Sequence, residues 1–160
     1  DALWARRGAV EVFGPVQEPP TGIRTLCPAV IEGYHGAGSV TSAIVAEVGR
    51  LHCCGVTFQA PSQHIRVSGQ VVFERCRFQD CEIQVVRSQV GTQVEFRDCE
   101  LTSGQAFERS HCLTAGSSVE VTLVRTRVVS RTRGSVSGRW CVAADRASRM
   151  FPHPEEIRTL

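Results

Sequence analysis

Proton transfer, nucleophilic attack and metal binding draw on histidine, cysteine and paired carboxylates, and this chain carries five histidines and eight cysteines. The histidines are His35, His52, His64, His111 and His153. Two pairs come near ligand spacing with a cysteine, His52/Cys54 and His111/Cys112. Adjacent strand residues face opposite sides, so His111 and Cys112 would not share a metal. No C-x-x-C pair is present, which argues against a zinc ribbon. A Cys–His catalytic pair needs closeness only in space, but a surface or hydrogen-bonded imidazole is the expectation for each histidine. No catalytic residue, metal ligand or cofactor site is assigned.

The carboxylates point the same way. Asp1, Asp80, Asp98 and Asp145 are scattered singly, whereas glycoside cleavage needs two carboxyls at a set separation. Asp80 and Asp98 each stand just before a cysteine, an exposed turn or edge position. Gly33-Tyr34-His35-Gly36-Ala37-Gly38 looks like a phosphate loop but lacks the lysine and following helix of a P-loop, so a flexible turn is expected. One stretch is rich in charge: VRTRVVSRTRGSVSGR holds Arg125, Arg127, Arg131, Arg133 and Arg139. On a strand, Arg125 and Arg127 would share a face, as would Arg131 and Arg133. No aromatic residues interleave to stack bases, as single-strand readers require. The expectation is a solvated β-face or a protein-binding rim that meets an acidic partner, with nucleic acid disfavoured.

Composition bounds the rest. At 160 residues the chain fits one domain with a real core. A formal charge of +2 sets up no strong field for polyanions, and no apolar run approaches the roughly 20 residues of a membrane span. The chain opens at Asp1 rather than methionine, as a fragment or processed product would. All 18 basic residues are arginine, and asparagine is also absent, so there is no Schiff-base lysine and no N-glycosylation sequon. The cysteines (Cys27, Cys53, Cys54, Cys76, Cys81, Cys99, Cys112 and Cys141) sit beside apolar residues in strand-like runs, where a free thiol behaves as a small hydrophobe. Buried, reduced thiols and a reducing compartment are expected.

The elements that position these residues are strands. Val, Ile, Phe and Thr alternate with polar residues at 44–48, 51–58, 64–67, 71–78, 83–86, 93–101, 119–129 and 139–143. Only the ends, near 3–7 and 144–150, could hold a short helix. Phe73-x-x-Cys76-x-Phe78 recurs as Phe96-x-x-Cys99-x-Leu101, an offset of 96 − 73 = 23. Leu51-x-x-Cys54-x-Val56 precedes by 22 and Leu123-x-x-Thr126-x-Val128 follows by 27 (73 − 51 and 123 − 96). That degenerate period falls in the solenoid range. The expected fold is therefore all-β, a right-handed parallel β-helix with coils of about 22–27 residues; a β-sandwich is the alternative. The Phe73/Phe96 and Cys54/Cys76/Cys99 positions would stack as interior columns at the strand spacing of about 4.8 Å. Residues 1–160 form a single domain in this reading: 1–40 as N-terminal cap and first coil, 41–143 as coils, and 144–160 as C-terminal cap or tail. Leu3, Trp4, Phe13 and the Pro19–Pro20 turn supply the first cap.

Several segments carry a family likeness. LHCCGVTF (51–58), IRVSG (65–69), FERCRFQDC (73–81), VEFRDCEL (94–101) and ADRASRM (144–150) resemble the adenovirus early-region-1B large proteins and the related atadenovirus left-end capsid protein. The likeness covers about 51–150 and implies a β-helical, non-catalytic viral protein. In the capsid branch it implies a homotrimer that cements or decorates the virion through other capsid proteins. In the early-region branch it implies a regulatory adaptor, in the host-cell nucleus or cytoplasm, that binds a host tumour-suppressor transcription factor and ubiquitin-ligase components. The chain is short and lacks the Asn and Lys common in that family, so no binding residue is carried over. The capsid-type role is the first expectation, the adaptor the second, and a carbohydrate-active β-helix enzyme the third.

Overall fold

The computed structural model describes residues 8–12, 16–17, 23–25, 29–33, 38–40, 43–59, 64–103, 111–130, 135–138, 141–152, 154 and 157–160. Leu3, Trp4, Phe13, Pro19, Pro20, Cys27, His35, Arg131, Arg133, Arg139 and His153 lie outside them, as do the expected N-terminal helix and most of the glycine-rich turn. Among the described residues every regular element is a strand. In chain order they are β1 (Gly8–Val12), β2 (Val16–Gln17), β3 (Ile23–Thr25), β4 (Ala29–Gly33), β5 (Gly38–Val40), β6 (Ala43–Cys54) and β7 (Thr57–Gln59). There follow β8 (His64–Glu74), β9 (Arg77–Gln79), β10 (Glu82–Val85), β11 (Thr92–Arg97), β12 (Glu100–Thr102) and β13 (Leu113–Ala115). The last are β14 (Val119–Val124), β15 (Arg127–Val129), β16 (Val136–Ser137), β17 (Val142–Ala144), β18 (Arg149–Phe151) and β19 (Arg158–Thr159).

Each strand pairs in parallel with its counterpart one coil away, so the chain is a parallel β-solenoid. A coil passes through three faces in turn. The first stacks β3, the front of β6, the front of β8, β10, β13 and β16. The second stacks β1, β4, the rear of β6 and β8, β11, β14, β17 and β19. The third stacks β2, β5, β7, β9, β12, β15 and β18. A long parallel sheet needs crossover connections; here each crossover is simply the other two faces of the coil.

Inward side chains form columns along the axis. On the second face Cys53, Phe73, Phe96, Leu123 and Ala144 stand in register. On the third face Phe58, Phe78, Leu101, Val128 and Met150 do. Phe58 stacks on Phe78 at 4.8 Å and Phe73 on Phe96 at 5.0 Å, while Phe73 meets Phe78 edge-on at 5.0 Å. Parallel pairs along a column and T-shaped pairs across the interior are the arrangements that ring quadrupoles favour. These columns belong to one contiguous core.

The register corrects the expected repeat frame. Cys53, not Leu51, is the equivalent of Phe73, and successive coils are offset by 20, 23, 27 and 21 residues (73 − 53, 96 − 73, 123 − 96 and 144 − 123). Cys54 therefore does not belong to the cysteine column. It points to the other side of the strand, half-buried, in register with Glu74. The second interior column is Val56, Cys76, Cys99, Thr126 and, after one extra residue, Ser148. The seven described cysteines are free thiols, five of them buried.

The spacing of three between Phe and Cys has a geometric cause. Alternation in a strand gives even spacing between inward residues, and an odd step needs one residue spent on a corner. Gly55, Arg75, Asp98 and Arg125 are those residues, with φ of 67°, 52°, 51° and 45°. The runs expected as single strands at 51–58, 71–78, 93–101 and 119–129 are each broken in two there. A left-handed corner costs about 1–2 kcal/mol for a residue with a side chain. The backbone offsets part of it, because the N–H of Gly55, Arg75 and Asp98 each donates to a carbonyl of the next coil at 2.9 Å. The residue after the corner completes the strap. The Cys76 thiol donates to Cys53 O and Glu74 O, the Cys99 thiol to Phe73 O and Arg97 O, and Thr126 Oγ1 to Phe96 O and Val124 O. A small side chain with one weak donor fits that place, which is why cysteine repeats there.

Between the first and second faces the bend falls at Gly69 in β8, φ 85°; a Cβ there would stand 1.9 Å from Ala46 O. At the C-terminal end the expected helix over 144–150 is replaced by β17, a turn and β18. Asp145 holds that turn by accepting from the Ser148 N–H at 2.9 Å and the Ser148 hydroxyl at 2.6 Å. A side chain that binds its own backbone competes with helix formation.

Candidate functional site

Of the five arginines expected to form one surface, Arg125 and Arg127 lie among the described residues, and they take different roles. Arg125 is a corner residue and does not share a strand face with Arg127, because its left-handed φ breaks the alternation. Its guanidinium forms a two-pronged pair with Asp98 at 2.6 and 2.7 Å, and its N–H donates to Asp145 Oδ1 at 3.0 Å. Along the axis the corners thus read Arg75, Asp98, Arg125, Asp145, alternating in sign. Arg125 holds the Asp98 carboxyl below the ordinary aspartate range. Burial presses Asp145 upward, but the Ser148 hydroxyl and the N–H groups of Arg125 and Ser148 outweigh it, and this carboxyl too ends below its ordinary value. Arg125 is a brace between coils.

Arg127 stands on the third face, pointing out, with Glu100 at 3.0 Å. Its register neighbours define the surface that was not read from the sequence. Arg77, Glu100, Arg127 and Arg149 occupy the same position on successive coils. The three arginines of that row are all exposed. Arg77 and Arg149 form no salt bridge among the described residues, so three cations face one carboxylate. The row runs into a hollow of about 370 Å³ beside the last coil, lined by Asp145, Arg146, Arg149, Phe151 and Arg158 among others. Phe151 is 51% exposed there. The signal was present in the repeat. Each of Arg77, Glu100 and Arg127 lies four residues after its column residue Phe73, Phe96 or Leu123.

Asp80 and Asp98 sit at exposed corners with φ of 54° and 51°, as their place before cysteines suggested. His64 reaches the buried Glu82 of the next coil at 3.1 Å. His52 reaches Glu74 at 3.1 Å, with the half-buried Cys54 on the same side of β6. Burial pushes the Cys76 and Cys112 thiols well up, so neither is primed as a nucleophile.

No protein-family model, curated protein or solved structure matches the chain.

Proposed function

We propose that this chain is a non-catalytic β-solenoid protein that works through protein–protein contact, as a homotrimer of the capsid-associated kind that its segments resemble. The observation that carries the reading is the row Arg77, Arg127 and Arg149, opposed among the described residues only by Glu100. Within the row Arg127 and Arg149 are direct neighbours, and like charges so placed on a sheet are destabilising in isolation. A partner that brings carboxylates to the row relieves that repulsion, and complementary charge of this kind steers encounter and sets register. The strip lies on a sheet, the form suited to meeting another surface. The likeness of residues 51–150 to the viral β-helical proteins adds the oligomeric state. Its most distinctive part, ADRASRM, coincides with a corner: Asp145 binds Ser148, and Met150 enters the core.

Light scattering in reducing buffer, with and without 1 M salt, tests this reading. A trimer is expected. Persistence in salt assigns the contact to apolar faces, and dissociation in salt assigns it to the arginine row. Reversing the row with Arg127→Glu and Arg149→Glu should dissociate only a salt-sensitive trimer. A monomer in both buffers overturns the trimeric reading.

A further inference from the structure

We propose that His52, Cys54 and Glu74 form a binding site for a borderline divalent cation, with Zn²⁺ the best chemical match. The fold makes the site in two steps. His52 and Cys54 are two apart on β6, so both project from the same side of the second face. Coil stacking then sets Glu74 of β8 in register with Cys54. One donor atom from each of the three lies within 4.8 Å of the other two. With metal–ligand bonds of about 2.0–2.3 Å a tetrahedral ion needs donors roughly 3.5 Å apart, a contraction within reach of side-chain rotation. The cluster is half-buried, with 35% of the His52 side chain and 31% of Glu74 exposed, so the ligands are fixed by neighbours yet open to an ion from solvent. Glu32 holds the register position on the other side of Cys54, one coil earlier.

A second observation points to a cation. The Arg75 guanidinium lies against the cluster, donating to Cys54 Sγ at 2.9 Å and standing 3.7 Å from Glu74. A positive group already sits where the thiol and carboxylate converge. It hangs from a corner residue whose side chain is 67% exposed, so it can swing into solvent and leave that place to a metal.

The donor chemistry selects the ion. One thiolate, one imidazole and one carboxylate suit Zn²⁺ and its spectroscopic substitute Co²⁺ far better than Mg²⁺ or Ca²⁺, which favour all-oxygen sets. Binding releases the thiol proton, and the metal–sulfur bond replaces the Arg75 hydrogen bond. Three protein ligands leave the fourth position to water or to a donor on a docked protein.

The test titrates the full chain with Co²⁺ in reducing, chelator-free buffer, following the near-ultraviolet thiolate-to-cobalt charge-transfer band, with Zn²⁺ as competitor. One equivalent should bind and Zn²⁺ should displace it. Cys54→Ser should abolish the band, while Cys141→Ser, the other half-buried thiol among the described residues, should keep it. His52→Ala and Glu74→Gln should each weaken binding by about tenfold or more. Arg75→Gln should tighten it, an effect that a merely structural arginine would not give. Circular dichroism of each variant establishes that the coils are intact. The proposal fails if wild-type chain shows no band at a tenfold excess of Co²⁺, if the band survives Cys54→Ser, or if Arg75→Gln weakens binding.

Discussion

Phe73→Ala tests the stacked-coil core directly. The Phe73 side chain is fully buried and touches three other rings: Phe96, stacked at 5.0 Å, and Phe58 and Phe78, edge-on at 5.8 and 5.0 Å. Deleting a buried phenylalanine ring costs about 3–5 kcal/mol through lost transfer energy and the cavity left behind. Each aromatic pair adds about 0.5–1.5 kcal/mol beyond area, so three pairs place this site at the top of that range, about 5 kcal/mol. With a urea m-value of about 2.5 kcal/mol per M for a chain of this size, the unfolding midpoint should fall by about 2 M. The assay is urea unfolding followed by far-ultraviolet circular dichroism, with Phe151→Ala as the exposed control. If total stability is near the lower end of the usual 5–15 kcal/mol, Phe73→Ala will not fold, and Phe73→Leu should show a reduced shift in the same direction. A fall of less than about 0.5 M for Phe73→Ala, or an equal fall for Phe151→Ala, would refute the stacked core.

Glycine at the two bends separates strain from clash. Gly69→Ala should destabilise by about 3 kcal/mol or more, since its Cβ meets a backbone carbonyl at 1.9 Å as well as a positive φ. Gly91→Ala has the same sign of φ but open space around it, and should lose only about 1–2 kcal/mol; equal losses in thermal melts would contradict the bend at Gly69. Thr126→Ala should lose about 1–2 kcal/mol by removing a buried bridging hydroxyl, and Thr126→Cys should recover most of it, because cysteine fills that place in the two preceding coils. Asp98 and Asp145 have depressed folded-state pKa values. Their stabilisation is therefore complete above the unfolded value of about 3.9 and is lost as pH falls through the folded values. Carboxyl titrations followed by NMR should place both midpoints below that of an ordinary aspartate, and Asp98→Asn should flatten the loss of stability on acidification.

The strand class and the solenoid period were legible because parallel stacking repeats the same inward chemistry: Phe73 and Phe96 announce each other at a fixed offset. The frame of the upstream repeat was not. Leu51-x-x-Cys54 mimics Phe73-x-x-Cys76, and with cysteines at both 53 and 54 the local sequence fits two registers. Cross-coil hydrogen bonding allows only one, and it turns Cys54 outward. The basic row was half legible. The arginines of 125–139 are dense in the sequence, but which charges share a face follows register, and register sets Arg127 between Glu100 and Arg149, with Arg77 beyond Glu100, while Arg125 falls at a corner.

By itself, the sequence determined that the chain is built of short strands, that Phe73, Phe96, Cys76 and Cys99 are interior, and that Asp80 and Asp98 stand at turns. Those facts follow from local alternation and from spacing, which act over a few residues. Only the tertiary structure decided which charges meet, that Arg125 braces Asp98, that His52 and Cys54 converge with Glu74, and that Arg75 lies over them. Each of these contacts joins residues about one coil apart in the chain and one strand spacing apart in space. The closure of the coil alone brings them together.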